Sequence, residues 1–489
     1  MDASWMVSRP RARDPFLLKL PSLALFPALF AFACAGHSAK TLEARKALDR
    51  GDAKEALALM NEELDVKSGA ELPKDASGDN ALLILDRSLI QQQLEDYKNS
   101  SRDLQVADKQ IELLDFSKSA LEDIGKYLFS DDTGGYRAPP YEKLLINTMN
   151  MVNYLSAHNL DGARVEARRL AIMQKYYKDQ QIPEASLTAP GSYFAGFVFE
   201  KSGRSDIAIR YYDEALQHKE LPSLVEPVRR LAAETGYRGQ FISAFLEKYP
   251  ANESPEPAPA SEPAPAPAPS DSESAAQGDE PGAGPKDTTG ELLVIVNYGR
   301  VPAKVAKRIP IGLALTYGAL YLSAGQTAQA NELAAKGLVM WVNYPELEET
   351  KRVIKTPTVL IDGQAYEVEE ALAIDEETKR AYDREKGRII ASAITRLITR
   401  AVTGEVAQKV SGDGVGGLIA NLATQVTLTA MDTPDTRSWA TLPARIGVVR
   451  ARLPAGTHKV EVAAQGLKKT STVELKPGRW EAVGMTVLR

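Results

Sequence analysis

The sequence predicts an α+β fold: an N-terminal α-helical repeat domain, a disordered Pro/Ala-rich linker, and a C-terminal mixed domain of helical hairpins with a small antiparallel β-sandwich. Three observations predict it. Residues 40–250 carry helical periodicity with few β-branched runs. Residues 251–290 hold nine of the 29 prolines around SEPAPAPAPS, a composition that cannot bury a core. Residues 445–488 alternate strand-like runs with Pro-Ala-Gly, Gln-Gly and Pro-Gly turns. The expected boundaries are a signal peptide at 1–33, helices at 34–250, linker at 251–290, a strand plus helical hairpins at 291–435, and the sandwich at 436–489.

At the N-terminus, Arg9, Arg11, Arg13 and Lys19 precede an apolar run from Leu20 to Ala33. That run is too short and too interrupted by Pro21 and Pro27 for a membrane span, and reads as a secretory signal starting at Met1 or Met6. Cys34, the single cysteine, ends it and is followed by Ala35-Gly36. This resembles the lipobox of bacterial lipoproteins, in which the cysteine becomes the lipid-bearing first residue. Phe32 and Ala31 depart from the favoured letters there. Several acyl chains at about 0.8 kcal/mol per buried methylene anchor a protein stably. No Asp follows Cys34, which implies outer-membrane sorting with the protein facing the periplasm. A plain signal cleaved between Ala35 and Ser38 is the competing reading. One cysteine excludes any intrachain disulfide.

The helical region is organised around residues 136–174. Leu144, Leu145, Thr148, Met149, Val152 and Leu155 recur every three or four positions after Tyr141 and the Pro139-Pro140 start, so one helix face is apolar. A second helix, capped by Asn159 or Asp161, places Ala163, Ala167 and Leu170 against the first. The same offsets recur elsewhere. Gly51 is followed by Ala56 and Met60, Gly203 by Ala208 and Tyr212, and Gly325 by Ala330 and Ala334. At each, a helix is expected to end, turn, and return with small residues that let two axes approach. The pattern is similar to the tetratricopeptide (TPR) repeat at irregular intervals. Generic antiparallel helices with glycine turns are the alternative. A further hairpin is expected around Tyr97 and a helix over 113–129.

The linker carries eight acids and one base, a net charge of −7 against −6 for the whole chain, which leaves +1 for everything else. No folded part is built for a polyanion, so nucleic acid is not an expected partner. The low-complexity tract implies two folded bodies.

Beyond it, ELLVIVNY at 291–298 is an unbroken apolar run and reads as a buried strand that joins the sandwich. A helical hairpin is expected over 310–338, two strands around Asp362-Gly363 over 356–369, and helix over 370–410. The literal G-x-G-x-x-G at Gly412, Gly414 and Gly417 follows a helix instead of a strand, so a flexible turn is expected and not a phosphate cradle. The apolar segment 417–431 is too short to span a bilayer. A buried helix or a hairpin that dips into the membrane are its two readings.

Chemistry-bearing patterns are few. The four histidines, His37, His158, His218 and His458, have no metal-ligand spacing, and no P-loop, nucleophile elbow or Cys-His pairing occurs. No cofactor, no metal and no enzymatic activity is therefore expected. The Asp131–Gly135 run lacks the further carboxylates of a calcium loop. Arg164 with Arg168, and Glu166 with Arg169, form a charged stripe expected on the exposed side of the central hairpin. It serves either as surface ion pairs or as a grip for a partner's acidic segment. Arg437 and Trp439 precede the β-domain and form either a binding edge or a joint between helical and β parts.

The signal cysteine, the block PYEKLLINTMNMVNYL with LDGARVEARR, the segment VPAKVAKRIPI and the block PDTRSWATLPARIGVVRARLPAGTHKVEV together resemble a family of uncharacterised bacterial TPR-containing lipoproteins. The resemblance spans most of the chain outside the linker and brings no catalytic or ligand residue with it. Similar proteins are encoded in some bacteria beside a lipoprotein activator of penicillin-binding proteins, which implies a cell-envelope role. The expected function is a scaffold or adaptor that holds an envelope protein on its helical repeats. The alternatives are an envelope enzyme using carboxylates such as Asp131 and Asp132, or a wall-binding structural module, acting on peptidoglycan or polysaccharide.

Overall fold

A computed structural model describes residues 36–111, 136, 138–179, 188–250, 288–337, 339–349, 353–408 and 433–489. The expected signal peptide, Cys34, the helix expected over 113–129, the Asp131–Gly135 run, the acidic Pro/Ala tract up to residue 287 and the glycine motif with its apolar successor lie outside the described residues. The helical part comprises α1 (His37–Lys40), α2 (Leu42–Arg50), α3 (Ala53–Glu63), α4 (Asp79–Gln93), α5 (Tyr97–Gln110), α6 (Pro140–Ser156), α7 (Leu160–Asp179), α8 (Ala189–Lys201), α9 (Ser205–His218), α10 (Val225–Thr235) and α11 (Gln240–Lys248). After the Pro/Ala tract come β1 (Thr289–Tyr298), β2 (Lys304–Pro310), α12 (Ile311–Gly318), α13 (Ala324–Ala335), β3 (Trp341–Leu347), β4 (Thr358–Ile361), β5 (Gln364–Tyr366), β6 (Glu369–Ala373) and α14 (Ile374–Gln408). The chain ends in β7 (Arg445–Pro454), β8 (Gly456–Ala464), β9 (Leu467–Leu475) and β10 (Trp480–Val487). The fold is α+β.

Successive helices form antiparallel hairpins whose turns have a common cause. Gly51, His158 and Gly203 all take positive φ, at 86°, 55° and 70°, which reverses the chain at a helix C-terminus. Five residues later Ala56, Ala163 and Ala208 are fully buried between the paired helices. Between α8 and α9 the approach is so close that a Cβ on Gly196 would run into the Tyr212 ring. Gly325 behaves differently from the expectation. It lies inside α13, where Ser323 caps the helix and forms a capping box with Gln326, so no turn occurs at that glycine.

The strands form two facing sheets. One has the order β10-β1-β7-β6 and the other β5-β4-β8-β9. β1 pairs antiparallel with β7 and parallel with β10, so the first sheet is mixed and the expected wholly antiparallel sandwich is corrected to that extent. β6 also replaces the first turn of the helix expected from residue 370, because residues 369–373 pair with β7. A separate ribbon of β2 and β3 packs with α12, α13 and α14 around Ile309, Val342, Ile390 and Ile394. Local pattern does not mark these two strands, since 30 residues separate them and prolines sit in both.

β1 explains how the halves meet. Its even positions Leu292, Val294, Val296 and Tyr298 face the second sheet, with Val359, Ile361, Val460 and Val462. Its odd positions Leu293 and Ile295 share a core with Leu85, Met149, Phe197 and Tyr212 of the helices. An unbroken apolar run is required because both faces are covered. The two bodies implied by the Pro/Ala tract are thus replaced by one compact unit, Gly36–Arg489. A buried polar network crosses the same seam. Asn297 Nδ2 and Thr486 Oγ1 donate to Gln92 Oε1 at 3.0 and 2.8 Å, and Gln92 Nε2 donates to Asn153 Oδ1 at 2.8 Å. Such a network tolerates one alignment of helices on sheet.

The expected Asp362-Gly363 hairpin is present between β4 and β5, with φ of 52° and 84° at the two turn residues. The Asp362 carboxylate accepts from Lys459 N at 2.8 Å and meets His458 Nδ1 at 2.6 Å, while His458 Nε2 lies 2.8 Å from Pro454 O. Two acceptors call for two N–H groups, hence an imidazolium. Burial works against that charge, but the bonds to Asp362 and Pro454 O prevail and raise the His458 pKa. Its stabilisation is therefore fully present below the ordinary histidine value of about 6.5 and is lost as pH rises through the raised value. The expected result is a melting temperature that declines as pH rises above the ordinary histidine value of about 6.5, a slope that His458→Gln flattens in thermal scans.

Candidate functional site

Three places gather the residues with functional potential, and the first is the α6–α7 hairpin. Leu144, Leu145, Met149, Val152 and Leu155 of α6 are buried against Ala163, Ala167 and Leu170 of α7. Asn159 Oδ1 accepts from Gly162 N at 2.9 Å and so caps α7. Glu166 does not belong to an exposed stripe. It is buried, accepts from Asn147 Nδ2 at 2.8 Å, and lies 3.3 Å from Arg169. Burial raises its pKa against the pull of Asn147 and Arg169. The open side of α7 carries Arg168 and Arg169, with Arg164 paired to Asp161 beside them. Two apolar side chains stand among them, Val165 at 47% and Ile172 at 70% exposure. Positions 165, 168, 169 and 172 share one helix face.

The second place holds Arg437 and Trp439, and here the binding-edge expectation is corrected. Arg437 is 3% exposed and Trp439 fully buried. Arg437 donates from Nε and Nη2 to the two oxygens of Asp435, both at 2.9 Å, and from Nη1 to Asp79 at 3.1 Å. Those carboxylates outweigh burial and raise the guanidinium pKa further. Trp439 Nε1 donates to Leu85 O at 3.2 Å, and its backbone N donates to Glu142 at 3.3 Å. Thr441 N donates to Asp86 Oδ1 at 2.8 Å, and His37 Nε2 sits 2.8 Å from Asp86 Oδ2. The segment is clamped among α1, α4 and α6 immediately before β7. A large flat ring fills the space where helices meet sheet, and no partner can reach it.

The third place was not among the sequence candidates. A cleft of about 480 Å³ opens between the helices and the strands, with Glu200, Ser223 and Arg230 on one wall and Glu291, Glu369 and Arg450 on the other. Arg450 forms its floor. Its Nη2 donates to Glu200 at 2.8 Å, its Nη1 to Tyr212 Oη at 2.9 Å, and its Nε to Glu291. Tyr212 Oη donates to Glu200 at 2.6 Å, and Lys201 Nζ lies 3.0 Å from Glu200 and also pairs with Glu291. The guanidinium stacks 5.1 Å from the Phe197 ring centroid. Burial alone would raise both carboxyls, but Arg450 and Lys201 hold Glu200 and Glu291 below the usual range. Both are thus ionised at neutral pH, and with Arg230, which also pairs with Glu200, the network is a clamp of three cations on two carboxylates.

Glu369 differs. It accepts from Ser223 N at 2.6 Å and Ser223 Oγ at 2.7 Å, yet burial raises its pKa, so it is the carboxyl in this cleft displaced toward neutrality. Residues 200, 291 and 450 come from α8, β1 and β7, and no spacing rule links them. A faint signal exists in Arg450, which interrupts the apolar run of β7.

Among the described residues no group of three or more His, Cys, Asp or Glu side chains is arranged to hold a metal ion, and no helix is long and apolar enough to cross a membrane. Cys34, Asp131, Asp132 and the glycine motif lie outside the described residues. Comparison of the chain with family models, with curated proteins and with solved structures returns no match.

Proposed function

We propose that the protein is a lipid-anchored scaffold or adaptor of the bacterial cell envelope, attached through Cys34 to the outer membrane and facing the periplasm. Its helical hairpins, read as divergent TPR-like repeats, hold a protein partner. The observation that carries the reading is the open face of α7, where Val165 and Ile172 are exposed beside Arg164, Arg168 and Arg169. Apolar anchors next to arginine are the composition of a binding hot spot, and an acidic partner segment with an apolar side chain fits it. The αL turns at Gly51, His158 and Gly203 with a buried alanine five residues on support the repeat reading.

The double substitution Arg168→Glu with Ile172→Asp is expected to abolish in-cell crosslinking to an envelope protein. Because both positions are exposed, the unfolding free energy from urea titration should stay within about 0.5 kcal/mol of the parent. Should a photo-crosslinker at position 168 capture no envelope protein under any growth condition, the scaffold reading fails. A second reading is favoured by the cleft with its raised Glu369: an envelope enzyme or wall-binding module acting on peptidoglycan or polysaccharide. Release of soluble fragments from sacculi by the purified protein distinguishes the enzyme, and sacculus binding without release the structural module.

A further inference from the structure

Two stretches outside the described residues meet the folded unit at one point. Ser38 N lies 3.5 Å from Thr436 Oγ1, and a Cβ on Gly36 would sit 3.0 Å from the same hydroxyl. Toward the N-terminus the chain continues to Cys34, which precedes Gly36 by two residues. Before Thr433 comes Asp432, and before that residues 418–431, LIANLATQVTLTAM, which contain no charged side chain.

The folded unit is rigid at that point. His37 is buried with Nε2 2.8 Å from Asp86, Thr41 Oγ1 donates to His37 O at 3.0 Å, and Arg45 Nη2 donates to Ser38 O at 3.1 Å. Arg437 is locked onto Asp435 and Asp79 one residue past Thr436. A chain reaches at most about 3.6 Å per residue, so an acylated Cys34 lies within about 7 Å of Gly36 whatever its path. A body anchored by so short a connection has no room to stand off from the bilayer.

We propose that the surface formed by Gly36–Lys40 and Thr433–Thr436 is a membrane-contact surface, seated directly on phospholipid headgroups. The inference rests on lipidation at Cys34. It adds that the anchor also orients the protein, so that each site has a set height above the bilayer. Lipid is the occupant because the acyl chains on Cys34 would enter the bilayer within about 7 Å of Gly36. Leu42, at the start of α2 and exposed at 37%, adds an apolar side chain beside this surface. The opposite end of the sheet is remote. Arg300, next to Gly299 at the end of β1, bonds Arg45 O at 3.1 Å and Asp49 at 2.7 Å, beside the proposed surface. From Tyr298 back to Thr289, β1 runs about 30 Å at about 3.3 Å per residue. There Thr289 O accepts from Gly478 N, in the turn after Lys476.

The test uses the full mature lipoprotein in liposomes containing nitroxide-headgroup lipid, with one dye-labelled cysteine added. Ala39→Cys and Thr433→Cys place the dye at the proposed surface, and Lys476→Cys places it at the remote turn. All three positions are exposed. The expected result is several-fold stronger quenching at 39 and 433 than at 476. Equal quenching at all three, or none at 39 and 433 in protein that floats with the liposomes, overturns the proposal while leaving the anchor intact. If palmitate labelling is absent, or unchanged in Cys34→Ser, the anchor reading itself fails and the contact surface with it.

Discussion

Replacing Arg450 by alanine is expected to lower the unfolding free energy by about 3–5 kcal/mol, because it strands buried carboxylates without their shared cation. Arg450 is 4% exposed, bonds Glu200, Glu291 and Tyr212, and stacks on Phe197. Lys201 and Arg230 still reach Glu200 after the substitution, which places the loss toward the lower part of that range. Against a typical total of about 5–15 kcal/mol, the change is large enough to read as a fall in the urea midpoint. Arg450→Lys should recover only part of it, since an ammonium keeps the charge but cannot present a planar fork to three acceptors. If Arg450→Ala unfolds at the parental midpoint, the clamp does not hold helices to sheet.

Trp439→Ala is expected to cost about 3–5 kcal/mol as well, through the cavity left by the largest fully buried side chain among the described residues and the loss of the Nε1 bond to Leu85 O. Its second consequence is more discriminating. Trp439 lies in one core with Leu85, Leu145, Ile446 and Val448, so α4, α6 and β7 should loosen together. Hydrogen exchange is expected to accelerate by a common factor in the amides of those three elements. Acceleration confined to residues near 439 would mean that helices and sheet fold as separate bodies, and would contradict the shared core.

Several elements of the fold were legible as local chemistry. Asp362-Gly363 required positive φ at consecutive residues and made its hairpin, and Gly51 and Gly203 ended helices where expected. Residues 445–487 formed four strands with turns at the predicted places. Tertiary placement mattered most in the candidate site. Arg164, Arg168 and Arg169 could be located on a helix face by period alone, but Glu166, one turn away, points inward because Asn147 of the neighbouring helix offers it a bond. Ile172 stands exposed at a position where periodicity assigns no partner. Arg437 and Trp439 were legible as a pair before the β-domain, and burial decided that they are a joint. The Glu200–Glu291–Arg450 clamp was illegible, because its members are brought together only when β1 is covered on both faces.

The sequence by itself determined several features whose deciding interaction spans a few residues: the αL turns at 51, 158 and 203, the hairpin at 362–363, and the two-faced apolar run at 291–298. Tertiary structure alone decided that helices and sheet form one unit, that β10 runs parallel to β1, and which charged side chains are buried. The physical reason is that a local pattern states that a face must be covered, whereas the identity of the covering surface depends on contacts between residues hundreds of positions apart, as between Gln92 and Asn297 or Leu85 and Trp439.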